Sequence, residues 1–486
     1  MAPSKLSDHI LIKGKFTTPL NSIPTMSEME DKKSWPYGRL PEYLWIGLIL
    51  NEYGREIGLQ KLYEIIVKLH KLAPDMRTPR MSDILSLNVT IQADLYKQII
   101  ETTSKETLAP LTLIFTLSKE PEFSKWFYCS GITVEERQNL IINTMQKIMG
   151  HQTHEATDIR FVALYFRLLS GQLHLPKEHS DMILRYPTLS HSADEMKIIR
   201  PSVRSLEMMM LEFEEVNPDY LKDFWRCVSE MTECSLFSNQ FPLETANINL
   251  YMEQLHETFA YLSDLFVSAN PLNEKMNVIL GIATYSYKRF KEAYDHTLFN
   301  SISGRSCIRV LIENYIMLKY LIKNESLHTN IWKDYQLYGV GLYKLVLMRH
   351  RESKERKMSH FDKNYIEALI NEFRMEEFID MDTRYFDQQN IRLKAESVNE
   401  KELYGLYYDY DSSFEHGLWG AIRESALVKC NNPAHQYHCV PDVEDKNRLK
   451  SVLSDCVMVM NKTVSFLNGI YGIPSPLFEE VTSFEI

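Results

Sequence analysis

The sequence predicts an all-α protein built from two helical domains. Three observations carry this. Glycine (17) and proline (19) are sparse over 486 residues, too few for sandwiches or serial hairpins, which need a chain breaker every few residues. Long stretches repeat their apolar residues at helical spacing. No run of five or more residues alternates apolar and polar side chains clearly enough to compete as a strand. A repeat of 30 to 50 residues is also missing from the sequence, which sets a solenoid aside.

Residues 1–35 mix serine, threonine, proline and charge without a period and are expected to be irregular. The first helix starts at Leu40-Pro41-Glu42, since proline suits the first helical position and glutamate the positive end of the dipole. It runs to about His70 with Leu44, Leu48, Leu62, Ile65 and Ile66 facing the core, and Gly54 and Gly58 are candidate kinks. Thr133-Val-Glu-Glu136 reads as a capping box, and Gly150 ends that helix at Met149. Asp158 to Ser170 is a further amphipathic piece. Residues 171–201 carry three histidines and three prolines in short segments, which places the domain boundary near 200: an N-terminal domain over 36–200 and a C-terminal one over 201–486. Helical stretches then cover 249–269, 273–300, 303–323, 330–352, 360–378, 401–428 and 442–470. The last has Asp442 and Asp445 at its start and Gly472 with Pro474 at its stop.

The formal charge is 54 − 65 = −11, so the chain as a whole is not built to coat itself with polyanion. Seven scattered cysteines are no disulfide framework and fit a reducing, cytoplasmic setting. The first thirty residues lack the apolar core of a signal peptide, and no apolar run approaches membrane-spanning length, so no membrane partner is expected. P-loop, dinucleotide-binding, zincin, serine-hydrolase and kinase signatures are all missing from the sequence.

Four constellations bear on function. In the segment 403–427, helical spacing puts Asp409, Ser412 or Ser413, His416, Gly420 and Arg423 on one stripe, with Leu406, Tyr410, Phe414, Leu418 and Ile422 on a core stripe. His416 could exchange a proton near neutral pH and Arg423 could grip a phosphate, or His416 could simply bond a neighbouring carboxylate or serine. In the segment 303–323, Arg305, Arg309 and Glu313 share a face opposite Cys307, Leu311, Tyr315 and Leu318. Arg309 and Glu313 are either a helix-surface pair or the anchor of a catalytic histidine on a facing helix. Cys430, His435, His438 and Cys439 have the inventory for tetrahedral zinc at poor spacing, with a plain Asn-Asn-Pro turn as the alternative. Finally, Arg349, Arg351, Lys354, Arg356 and Lys357 lie in a basic stretch over 344–363, followed by an acidic one over 372–382. The basic stretch would either meet a nucleic-acid backbone or pair with the acidic segment.

The run Arg305-SCI-Arg309-VLI-Glu313, the later Tyr407-xx-Tyr410-xx-Ser413-xx-His416-Gly417, and the turn Asn432-Pro433-x-His435-x-x-His438 resemble an uncharacterised bacterial all-helical domain family with HEPN-like features, over about residues 200–470. The resemblance implies a HEPN-like C-terminal bundle, a homodimer, and a cytoplasmic effector acting on nucleic acid, RNA rather than DNA. Such a protein is a metal-independent RNase, with no cofactor, in antiphage defence or as a growth-arresting toxin. His416 would be the general acid/base, Arg309 and Arg423 would position phosphate, Glu313 would orient one of them, and Arg305 would join the basic stretch in binding RNA. The Arg–polar–His signature of HEPN ribonucleases is altered here, since Phe290 follows Arg289. The competing expectation is a non-catalytic helical scaffold or sensor that dimerises and binds a protein partner.

Overall fold

The computed structural model describes residues 5–18, 34–213, 216–242, 248–268, 273–352, 360–381 and 386–484. The chain is all-α and divides into two compact units. The first is residues 1–237 together with 429–438, and the second is 238–428 together with 439–486. The division therefore falls at Phe237 rather than near 200. The reason is packing: Val203, Phe224, Trp225 and Val228 lie beyond the histidine-rich stretch, yet all are buried in the first core.

The first unit contains α1 (Leu40–Leu72), α2 (Val89–Thr102), α3 (Pro121–Phe127), α4 (Val134–Ile148), α5 (His154–Leu169), α6 (Lys177–Leu184), α7 (Met196–Met209) and α8 (Pro218–Glu230). The helix α1 begins at Leu40 with Pro41 in its first turn, and Gly54 (φ +72°) interrupts it as expected. All five predicted core positions of α1 are buried. Thr133 and Glu136 cap α4 reciprocally. Trp35 donates its indole N–H to the Ile148 carbonyl at 2.7 Å. Beside it the buried Glu207 of α7 holds two guanidiniums, Arg39 and Arg160 of α5, the latter at 2.7 Å. A small antiparallel hairpin, β1 (Ile10–Ile12) and β2 (Lys15–Thr17), turns at Gly14 (φ +79°) inside the segment expected to be irregular.

The second unit contains α9 (Asn249–Ser268), α10 (Glu274–Asp295), α11 (Ile302–Asn324), α12 (Ile331–Glu352), α13 (Lys363–Phe373), α14 (Ile391–Ser397), α15 (Asp409–Glu415), α16 (Trp419–Ser425), α17 (Leu453–Tyr471) and α18 (Ser475–Thr482). The helix α11 is central: Cys307, Leu311, Tyr315 and Leu318 are buried, as their spacing predicts. Two expectations need correction. The helix expected over 401–428 is broken, because Gly417 (φ +57°) takes a left-handed conformation and ends α15, with the Gly417 and Leu418 N–H groups closing back on Phe414 and Ser413. The helix expected from Asp442 starts at Leu453 instead. The Asp442 carboxylate accepts the Lys446 and Asn447 N–H groups at 2.9 and 2.7 Å, which closes a turn and not a helix start. The stop at Gly472 (φ +65°) is as expected. Among the described residues, no helix is long and apolar enough to cross a membrane.

Candidate functional site

The charged residues of α11 meet α15 and the turn Tyr404–Tyr408 before it. Arg309 donates to the Tyr408 hydroxyl at 2.9 Å, with its guanidinium over the Tyr408 ring at 4.8 Å. Tyr408 in turn donates to Glu313 at 3.2 Å, and Glu313 stands 3.6 Å from Arg309. Burial, then the nearby Glu313, raises the Tyr408 pKa, so the hydroxyl stays a donor. Arg309, Glu313 and Tyr408 form a closed triangle.

Arg305, expected on an RNA-binding face, is a buried residue. Its guanidinium donates to the Lys450 carbonyl at 2.7 Å, lies over Tyr410 and Phe414, and stands 3.9 Å from the buried Asp411. Burial outweighs that guanidinium and pushes the Asp411 pKa up to about 7.

His416 caps the C-terminal end of α15 and is exposed. Among the described residues no hydrogen bond or ion pair joins it to Arg309 or Glu313. Its neighbour Glu415 accepts from Ser306, near the start of α11. Glu313 is seven residues further along, about 10 Å at 1.5 Å per residue. Gly417 also separates His416 from Gly420 and Arg423, which belong to α16, so the predicted polar stripe is not continuous. Arg423 donates to the Cys439 sulfur at 2.9 Å. Of the predicted core stripe Phe414 is buried, while Leu406, Tyr410 and Leu418 are exposed. Tyr410 reaches across to Glu424 at 2.7 Å, fastening α15 to α16 and leaving residues 416–419 at the tip.

In the basic stretch, Arg351 pairs with Glu367 at 2.7 Å and Glu376 at 2.6 Å, and the buried Lys344 donates to the Glu376 and Ile379 carbonyls. Arg351 and Lys344 are therefore engaged by the acidic segment. Arg349 is exposed, and Lys354, Arg356 and Lys357 lie outside the described residues.

A second constellation lies in the first unit. The chain leaves α8 through Thr232 to Ser235 into β3 (Leu236–Phe237), where Leu236 and Phe237 pair antiparallel with Cys430 and Lys429. The turn 432–438 follows, with Asn432 donating to Thr232 and Glu233. This brings together Cys234, Cys430, His435 and His438, whose Sγ and ring nitrogen atoms all lie within 4.8 Å of one another. His435 Nδ1 is 3.4 Å from Cys234 Sγ and 3.6 Å from Cys430 Sγ, and His438 Nε2 is 3.5 Å from Cys234 Sγ. Burial and the neighbouring Cys430 raise the Cys234 thiol pKa. Cys439, which the sequence grouped with this set, begins a strand and serves Arg423 instead. Successive side chains of an extended chain point opposite ways, so His438 and Cys439 do not converge. Cys234 was missed because it lies 201 residues from His435 and carries no local spacing signal.

The fold and these sites define an all-α, two-unit protein with a polar seam in one unit and a thiol–imidazole cluster in the other. Residues 277–435 match a family described as Family of unknown function (DUF5677). The matched stretch runs from α10 to the 433–435 turn and includes Arg309, Glu313, Tyr408, His416, Arg423, Cys430 and His435. No curated protein and no solved structure matches the chain.

Proposed function

We propose that the protein is a non-catalytic helical scaffold that binds a protein partner through the tip between α15 and α16. The observation that carries this reading is the exposure of Leu418 and Trp419 at that tip, 55% and 67%. Tryptophan is enriched among the residues that dominate interface affinity. Leu406 and Tyr410, one helical turn apart, add exposed apolar surface on the approach to the tip. Asp409 and Glu415 are exposed there too. In a chain of charge −11, this acidic border repels a phosphate backbone and favours a partner with apolar side chains ringed by lysine or arginine.

An RNA-cleaving, HEPN-like effector needs cationic groups free to hold phosphate. Arg309 is engaged by Tyr408 and Glu313, Arg423 by Cys439, and Arg305 by Asp411 and Lys450. These engagements favour the scaffold reading. Its test is a photo-crosslinking residue at position 416, exposed at the same tip, in the producing cell, followed by binding of the purified full chain to the purified partner so identified. Trp419→Ala is expected to weaken that binding about tenfold or more. Leu327→Ala, at a site 85% exposed elsewhere in the unit, leaves it unchanged. A partner that binds Trp419→Ala as tightly as wild type, or no specific partner at all, overturns the reading.

A further inference from the structure

We propose that Cys234, Cys430, His435 and His438 bind one zinc ion in a closed, structural site that fastens the segment 429–438 into the N-terminal unit. Three features of the cluster support this beyond its inventory.

The first is the spacing of the ligand atoms. Zinc bonds of about 2.3 Å to sulfur and 2.0–2.1 Å to nitrogen at tetrahedral angles place S and N about 3.6 Å apart. Three of the four sulfur–nitrogen separations are 3.4, 3.5 and 3.6 Å. Three of the six edges thus have the length that a zinc-centred tetrahedron requires, and the remaining three lie within 4.8 Å.

The second is the orientation of the imidazole. His435 Nε2 faces the Thr232 carbonyl at 2.9 Å and the Ser229 carbonyl at 3.1 Å. Two acceptors at Nε2 fix the proton there and leave the Nδ1 lone pair pointing at both sulfurs. A backbone carbonyl on the remote ring nitrogen is the usual support of a metal-bound histidine.

The third is the backbone between the histidines. Gln436 (φ +54°) and Tyr437 (φ +51°) are both left-handed, which is sparsely populated for residues other than glycine. Two in succession bring His438 back beside His435, with ring centroids 5.4 Å apart, and the Cys430 N–H closes the turn on the His438 carbonyl at 2.8 Å. Strain of this kind persists where something fixes both ends, and a shared ion does so.

Binding displaces one proton from each thiol, so Zn²⁺ with two thiolates and two neutral imidazoles is a neutral centre. That suits a partly buried place, Cys430 being 1% exposed. Four protein ligands leave no position for water or substrate, which makes the role structural.

The test is the zinc content of the full chain purified under reducing conditions, read by elemental analysis, and the visible spectrum of the cobalt-substituted protein. One zinc per chain and a tetrahedral cobalt spectrum with thiolate charge-transfer bands are expected. Cys234→Ser and His438→Ala should each bring zinc below about a tenth of an equivalent, whereas Cys439→Ser keeps it. The wild-type cobalt spectrum reports on the site even where a variant fails to fold. Zinc-free folded wild type, a Cys234–Cys430 disulfide in its place, or metal lost from Cys439→Ser and retained by Cys234→Ser would each overturn the proposal.

Discussion

Glu42 on α1 shows how a single buried carboxyl ties the chain's stability to pH. It accepts from the Ser82 N–H at 2.9 Å and the Ser82 hydroxyl at 2.8 Å, and burial pushes its pKa up to about 7. A carboxyl whose folded pKa lies above its unfolded value binds more protons folded than unfolded between the two. Stability from this group is therefore greatest at low pH and falls as pH rises through that window. Between pH 5 and 8 the loss is on the order of 2 kcal/mol. Glu42→Gln keeps an acceptor for the Ser82 N–H and removes the titration. Denaturant unfolding should show the variant gaining on wild type by about that amount from pH 5 to pH 8. Parallel curves would contradict it. Nothing local in the sequence marks Glu42 as more than a helix-start acid, because its hydrogen-bond partner Ser82 lies forty residues away.

At the scale of elements, long helices were legible where their signals are local. The proline start of α1, the Thr133 box of α4 and the glycine stop of α17 are each set within one turn of the residue responsible. The segment 401–428 was not, because its apolar spacing runs unbroken through Gly417 and only the backbone conformation shows the break. Gly417 and Gly420 in this segment separate the alternatives. Gly417 is left-handed, so Gly417→Ala should destabilise by about 1 kcal/mol or more. Gly420 lies in α16 with nothing within 4 Å of a Cβ built there, so Gly420→Ala should be neutral or stabilise by up to about 1 kcal/mol. Thermal unfolding of the two variants checks this, and a gain from both would restore one continuous helix. Tyr408 closes the Arg309–Glu313 pair, but it stands about a hundred residues from both and among other tyrosines, so spacing gave no reason to single it out.

At the scale of the whole molecule, each unit has its own apolar core, and the chain enters the first unit a second time over 429–438, where Ala434 is buried in that core. A sequence reading that divides the chain by composition sees one boundary and cannot see this return. The same return joins Cys234 to Cys430, which is why the sequence could supply three members of the thiol–imidazole set but not the fourth. In the second unit the guanidiniums that the sequence offered as phosphate ligands are held by Tyr408, Glu313, Asp411 and Cys439. On the scaffold reading we propose, these charged residues hold helices together and do no chemistry. The most direct measurement is incubation of the purified full chain, and of His416→Ala, with total RNA from the producing cell. The account predicts intact RNA with both proteins. Cleavage by wild type that His416→Ala abolishes, with its helicity unchanged, would contradict it.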